Sequence, residues 1–236
     1  MKSPNRLLTY ILYCILLTYI PTLPGAVQVQ SQRDELCKKL SKSPNFNLNY
    51  VSGKPWRFYY TWVVNMGNRC MEMKFLRVTR RLIDRIGVTM IDYMNEDINW
   101  YTATMMTSVL RIQTAKNENP RESLMFPEKG NPGGFRGVPN MAQNVGEFAK
   151  NSIPLTHQVF KLFNGGKFLV MADCNLGLAA LMARPNQTLY RSEILAMAEE
   201  IWDADGYLIC TDDKNKNEIE GSLAEFNESP QKNKMY

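Results

Sequence analysis

The chain has 236 residues, enough for one large β domain or two small ones, and its 44% hydrophobic composition excludes a chain disordered throughout. Its formal charge of +5 is spread among acids rather than gathered on one face, so nucleic acid is not implied as a partner. No GxSxG elbow, no Gly-rich loop opening a helix in a βαβ unit and no carboxylate cluster at a predicted strand end is present, so an enzyme is not expected.

Residues 1–26 place Lys2 and Arg6 ahead of an apolar run over 7–20, then Pro21 and the small residues Gly25 and Ala26. This pattern predicts a secretory signal peptide. The apolar run is short against the roughly 20 residues of a membrane-spanning helix, so no span is expected after cleavage, and the product is secreted and extracellular. Residues 27–211 are read as a single domain and 212–236 as a polar, disordered tail. Cys14 leaves with the signal, so Cys37, Cys70, Cys174 and Cys210 remain, an even number in an oxidising compartment. Two disulfides are expected, with spacing alone leaving all three pairings open. Without a CxxC, and with His157 as the only histidine, no metal site is expected.

Residues 27–50 have no sustained apolar period and predict an irregular leader, tied down by Cys37. The runs "PWRFYYTWVV" and "CMEMKFLRV", separated by "NMGNR", predict a strand, a turn and a strand. Alternation puts Trp56, Phe58, Tyr60 and Trp62 on one face of the first, and Met71, Met73 and Phe75 on one face of the second. Arg77, Arg80, Arg81 and Arg85 form a basic cluster, read as a solvated edge strand or loop that could also meet an anionic partner. Residues 98–115 are rich in Thr, Val and Ile and predict one bent strand or two short ones. Residues 116–140, rich in Pro and Gly, predict a long loop with at most one strand inside it.

"HQVFKLF", "NGG" and "KFLVMADC" make the clearest hairpin, since Asn and Gly tolerate the positive φ angles of tight turns. A second return at "NLG" leads into "LAALMAR". The apolar period then changes to the helical one, with Ile194, Met197, Ala198 and Ile201 on one face, and "GYLICT" predicts a short closing strand. Consecutive hairpins with one late helix predict an all-β fold: an eight-stranded antiparallel up-and-down barrel with the C-terminal helix packed outside. Tyr60, Met73, Phe75, Trp100, Met106, Phe160 and Met171 would then line an apolar cavity, although alternation alone does not distinguish a hollow barrel from one filled by its own side chains. Asn186-Gln187-Thr188 is an N-glycosylation sequon ahead of the helix.

Together, "SGKPW" at the first strand, Cys70 at the second, and "FKLFNGGKFLVMADC" followed by "LAALMARPNQTLYRSEILAMAEEI" resemble the secreted lipocalins of the insect type, the group of insecticyanin and the bilin-binding proteins. The resemblance spans roughly residues 37–210. It departs from the family's opening Gly-any-Trp signature by one residue, because Gly53 and Trp56 are three apart. The resemblance implies a structural pair in which Arg184 closes one end of the barrel over Trp56. It also implies the disulfides Cys37–Cys174 and Cys70–Cys210.

The function that follows is binding and transport of a small hydrophobic molecule in the barrel, such as a bilin, carotenoid, retinoid, lipid or semiochemical, held non-covalently and without any covalent cofactor. The alternative is a secreted interaction or inhibitor protein with a filled barrel, acting on a protein receptor or as a homo-oligomer. Its instrument would be a loop over 126–139.

Overall fold

The computed structural model describes residues 35–67, 70–112, 119–141 and 144–210. The expected signal peptide over 1–26 and the expected tail over 212–236 lie outside the described residues.

Eight strands, β1 (Trp56–Trp62), β2 (Met71–Arg77), β3 (Met105–Arg111), β4 (Arg121–Glu128), β5 (Asn131–Pro139), β6 (Thr156–Phe163), β7 (Phe168–Asp173) and β8 (Leu178–Ala183), pair antiparallel with their sequence neighbours. β8 returns to β1, so the sheet closes into an up-and-down barrel with no open edge between first and last strands. The β1–β2 seam is short, with only Trp56↔Met73 and Arg57↔Glu72 in register. Above it a ninth strand, β9 (Gly206–Leu208), takes that edge of β1, pairing from Tyr60↔Leu208 to Trp62↔Gly206.

Both expected disulfides are present. Cys70–Cys210 fastens the end of β9 to the start of β2, at the place where the seam opens, with Cα atoms 4.7 Å apart. Cys37–Cys174 ties the leader to the end of β7 across 6.0 Å.

The described part of the leader, from residue 35, is not irregular. Residues 35–41 form a helix (α1), and a single turn, α2 (Leu48–Val51), follows an Asn47 cap whose Oδ1 accepts from the Asn49 and Tyr50 amides. α1 buries Leu36 and Leu40 beside the C-terminal helix α4 (Arg191–Ile201), which packs outside the barrel through Ile194, Ala198 and Ile201. Lys39 Nζ joins the two helices by donating to the Ile201 carbonyl at 2.7 Å, at the α4 C-terminus where a cation suits the helix dipole.

A further helix, α3 (Arg80–Met90), stands where the sequence reading placed an edge strand or loop. The Thr79 side chain caps it by accepting from Leu82 N. Ile83, Ile86 and Met90 recur at helical spacing and cover Met106, Leu124, Phe126 and Val138 on the outer wall of β3–β5. Gly87 lets the Trp100 ring lie close across the helix, where a Cβ would come within 3.3 Å of it. Residues 98–104 are therefore not strand: Trp100–Thr102 is a 3₁₀ turn leading into β3.

Within the expected loop over 116–140, of which 116–118 lie outside the described residues, residues 121–139 instead form the hairpin β4–β5, turning at Gly130 with φ 80°. Its glycines are functional parts of the wall. A Cβ on Gly133 would overlap the backbone of Phe160, and one on Gly137 would overlap the Thr156 hydroxyl.

Candidate functional site

Residues directly opposite in an antiparallel ladder share a face, so the registers trace one circuit of inward-facing side chains around the barrel. The circuit runs Trp56–Met73–Val109–Arg121 in one row and Phe75–Thr107–Ser123–Pro139 in the next. It continues through Phe135–Gln158 and Phe160–Met171–Ala180–Thr61, and through Leu162–Leu169–Met182–Phe58.

The lower half of this interior is solid. Met73, Phe75, Met105, Met125, Phe160 and Met182 are each at most 2% exposed. Phe46, carried in by the leader, meets Phe75, Phe135 and Phe160 at ring separations of 6.0, 5.4 and 5.7 Å, and Phe75 meets Phe160 edge-on at 5.3 Å. Four phenylalanines thus form a floor across the bore. Beneath it, Arg184 closes the end. Its guanidinium lies 4.1 Å over the Trp56 ring and donates to the carbonyls of Lys54, Tyr50 (2.8 Å) and Val51 (3.2 Å). The Trp56 indole donates to the same Val51 carbonyl at 3.0 Å. Burial pushes the Arg184 pKa below its ordinary value, and the neighbouring Tyr50 opposes that shift.

Above the floor the interior opens. Met71, Val109, Met171 and Leu178 supply apolar surface, and Ser123, Thr156 and Gln158 supply polar groups. All face inward yet remain half-exposed. Arg111 and Arg121 stand at the lip by the same register. Thr156 donates to the Gly137 carbonyl at 3.3 Å, whereas the Gln158 Oε1 is buried without a hydrogen-bond partner. Gln158 belongs to the inward row, and its Oε1 is a buried acceptor with no protein donor. Asp173, beside Gln158 in register, directs Oδ1 to the Asn175 and Leu176 amides and holds the β7–β8 turn.

Of the seven residues expected to line a cavity, Met73, Phe75, Phe160 and Met171 belong to the interior, and only Met171 reaches the open part. Tyr60, Trp100 and Met106 do not face it. A bulge between Phe58 and Tyr60 shifts the parity of β1, so Trp56 and Phe58 point in, whereas Tyr60 and Trp62 point out beneath α4. There burial, and secondarily Asp205, raises the Tyr60 pKa above its ordinary value. Trp100 and Met106 lie in the outer cluster under α3. His157 also faces outward, opposite Arg136, with Nε2 3.1 Å from Glu128 Oε1. The mouth residues Met71, Val109, Ser123, Thr156, Gln158 and Leu178 were missed, because alternation does not tell the filled depth of a strand from its open end.

Among the described residues no cluster of His, Cys, Asp and Glu could hold a metal ion, and no helix is long and apolar enough to cross a membrane. No family model matches the chain, and no curated protein matches it by sequence.

Proposed function

We propose that this chain is a lipocalin-type binding protein that holds a compact amphiphilic molecule at the mouth of its barrel without chemical turnover. One observation carries the reading: above the phenylalanine floor the inward rows hold half-exposed residues of both kinds, apolar Met71, Val109, Met171 and Leu178 and polar Ser123, Thr156 and Gln158, the last with a carbonyl oxygen that has no protein partner. A ligand with a small apolar body and one hydroxyl or amine donor meets both halves of that surface. The floor argues against elongated carotenoids and retinoids, which need the full depth of the bore, and favours a short lipid or semiochemical. Two disulfides staple the leader and the end of β9 to the barrel, which suits secretion and transport in an oxidising fluid. Asn186 is exposed in the link before α4, where a glycan would meet no obstacle.

Native mass spectrometry of the protein from its own source tests the proposal. A non-covalent adduct that disappears on denaturation is expected. Chain and glycan mass alone, together with no uptake of any compact amphiphile offered afterwards, would sink it.

The filled floor also favours a second reading, an interaction protein that uses the barrel as a rigid support. The loop expected to serve it, 126–139, is part of the wall, so its contacts would have to come from elsewhere on the surface.

A further inference from the structure

The outer face of α3 offers such a surface. Ile83, Ile86, Gly87 and Met90 face the barrel, which turns Arg81 and Arg85, one helical turn apart, toward solvent. Arg80 is beside them, its guanidinium 3.5 Å over the Tyr101 ring, and Arg77 donates to Asn49 Oδ1 on α2. These contacts hold two guanidinium groups in place and leave their charge intact. The only carboxylate with an ion-pair contact to the group among the described residues is Asp84, 3.8 Å from Arg80.

Nothing in the packing of α3 calls for Arg81 and Arg85, which are exposed on its outer face. Its first turn contains no acid and two arginines, the reverse of what the helix dipole favours, and Arg81 and Arg85 repel each other at i,i+4. The helix folds through its buried face despite its outer one. All four cations are arginine, whose planar fork matches tetrahedral oxyanions in pairs of hydrogen bonds.

We propose that Arg77, Arg80, Arg81 and Arg85 form a docking surface for a sulfated polysaccharide. A bilayer fits less well, because the outward-facing Asp84 interrupts the face a membrane would have to cover and the helix exposes few apolar side chains, chiefly Val88 and Ile91. A sulfated chain needs only a row of guanidinium groups. It would hold the protein on an extracellular surface while the mouth, at the opposite end of β2 from Arg77, stays open.

Heparin affinity chromatography of the full chain is the test, with an Arg81→Gln/Arg85→Gln variant and a Lys38→Gln/Lys42→Gln variant that changes net charge equally on the α1 wall. The wild type should be retained at about 0.05 M salt, and the arginine variant should bind at least about tenfold more weakly with a shallower salt dependence. The lysine variant should behave as wild type. The arginine variant should melt no lower than wild type, so that lost binding is not lost folding. Failure of the wild type to bind, equal weakening by both variants, or binding to phosphatidylserine vesicles but not to heparin would overturn the proposal.

Discussion

The guanidinium of Arg184 lies 4.1 Å over the Trp56 ring while its nitrogens bond carbonyls of the chain that leads into β1. One side chain at the end of β8 thereby fixes both the first strand and the turn before it. Arg184→Ala leaves the Val51 and Tyr50 carbonyls without this donor and uncovers the indole, and should cost about 1–3 kcal/mol in chemical denaturation. Arg184→Lys should recover only part of it, since an ammonium lacks the fork. An alanine variant with the wild-type midpoint would show that the end is closed by other contacts.

Gly206 is tied to Tyr60 in a different way. A Cβ at residue 206 would overlap the Tyr60 ring, so Gly206→Ala must displace the buried ring or β9, and either loosens the β1–β9 pairing. Destabilisation of about 1–3 kcal/mol is expected. Hydrogen exchange should quicken at the Ile209 amide, which donates to the Tyr59 carbonyl. Unchanged protection there would contradict the pairing.

Tyr60 also sets an alkaline limit. Its folded pKa is raised, first by burial and then by Asp205, so above pH 10 the unfolded chain loses the phenolic proton before the folded one does. The unfolded state then binds fewer protons and stability falls as pH rises. A Tyr60→Phe variant should lose stability less steeply between pH 10 and 11. Parallel curves for the two proteins would place the alkaline loss in other groups.

The barrel was legible because its hairpins are consecutive and its turns carry their own chemistry: Asn164, Gly165 and Gly166 all take the positive φ that "NGG" predicted. The cysteine pairing was legible only through the family resemblance. The bulge was hidden because Trp56, Phe58, Tyr60 and Trp62 alternate without interruption, and α4 buries the outer pair as completely as the bore buries the inner pair. β4–β5 was hidden because Pro127, Pro132, Gly133 and Gly134 break strand composition, although the small residues are what the crowded wall requires. α3 did carry a signal, Thr79 followed by Ile83, Ile86 and Met90 at helical spacing, but the arginines drew the reading toward a solvated edge.

Gln158 separates stability from binding. Gln158→Leu removes a buried carbonyl that has no partner, so the free protein should melt at or above the wild-type temperature. Affinity for a donor-bearing amphiphile should fall about tenfold, the worth of one hydrogen bond to a desolvated group. A destabilised variant would mean that the amide is already satisfied.

The position of the ligand is read most directly by methyl NMR of methionine-labelled protein during titration with a compact amphiphile such as a medium-chain alcohol. Met71 and Met171 face the mouth, whereas Met105, Met125 and Met182 are fully buried in or around the floor. Saturable shifts at the first two methyls, with the last three unmoved, are the predicted result. Shifts centred on Met105, Met125 and Met182, or no saturable shift at Met71 and Met171, would contradict a site held above a filled floor.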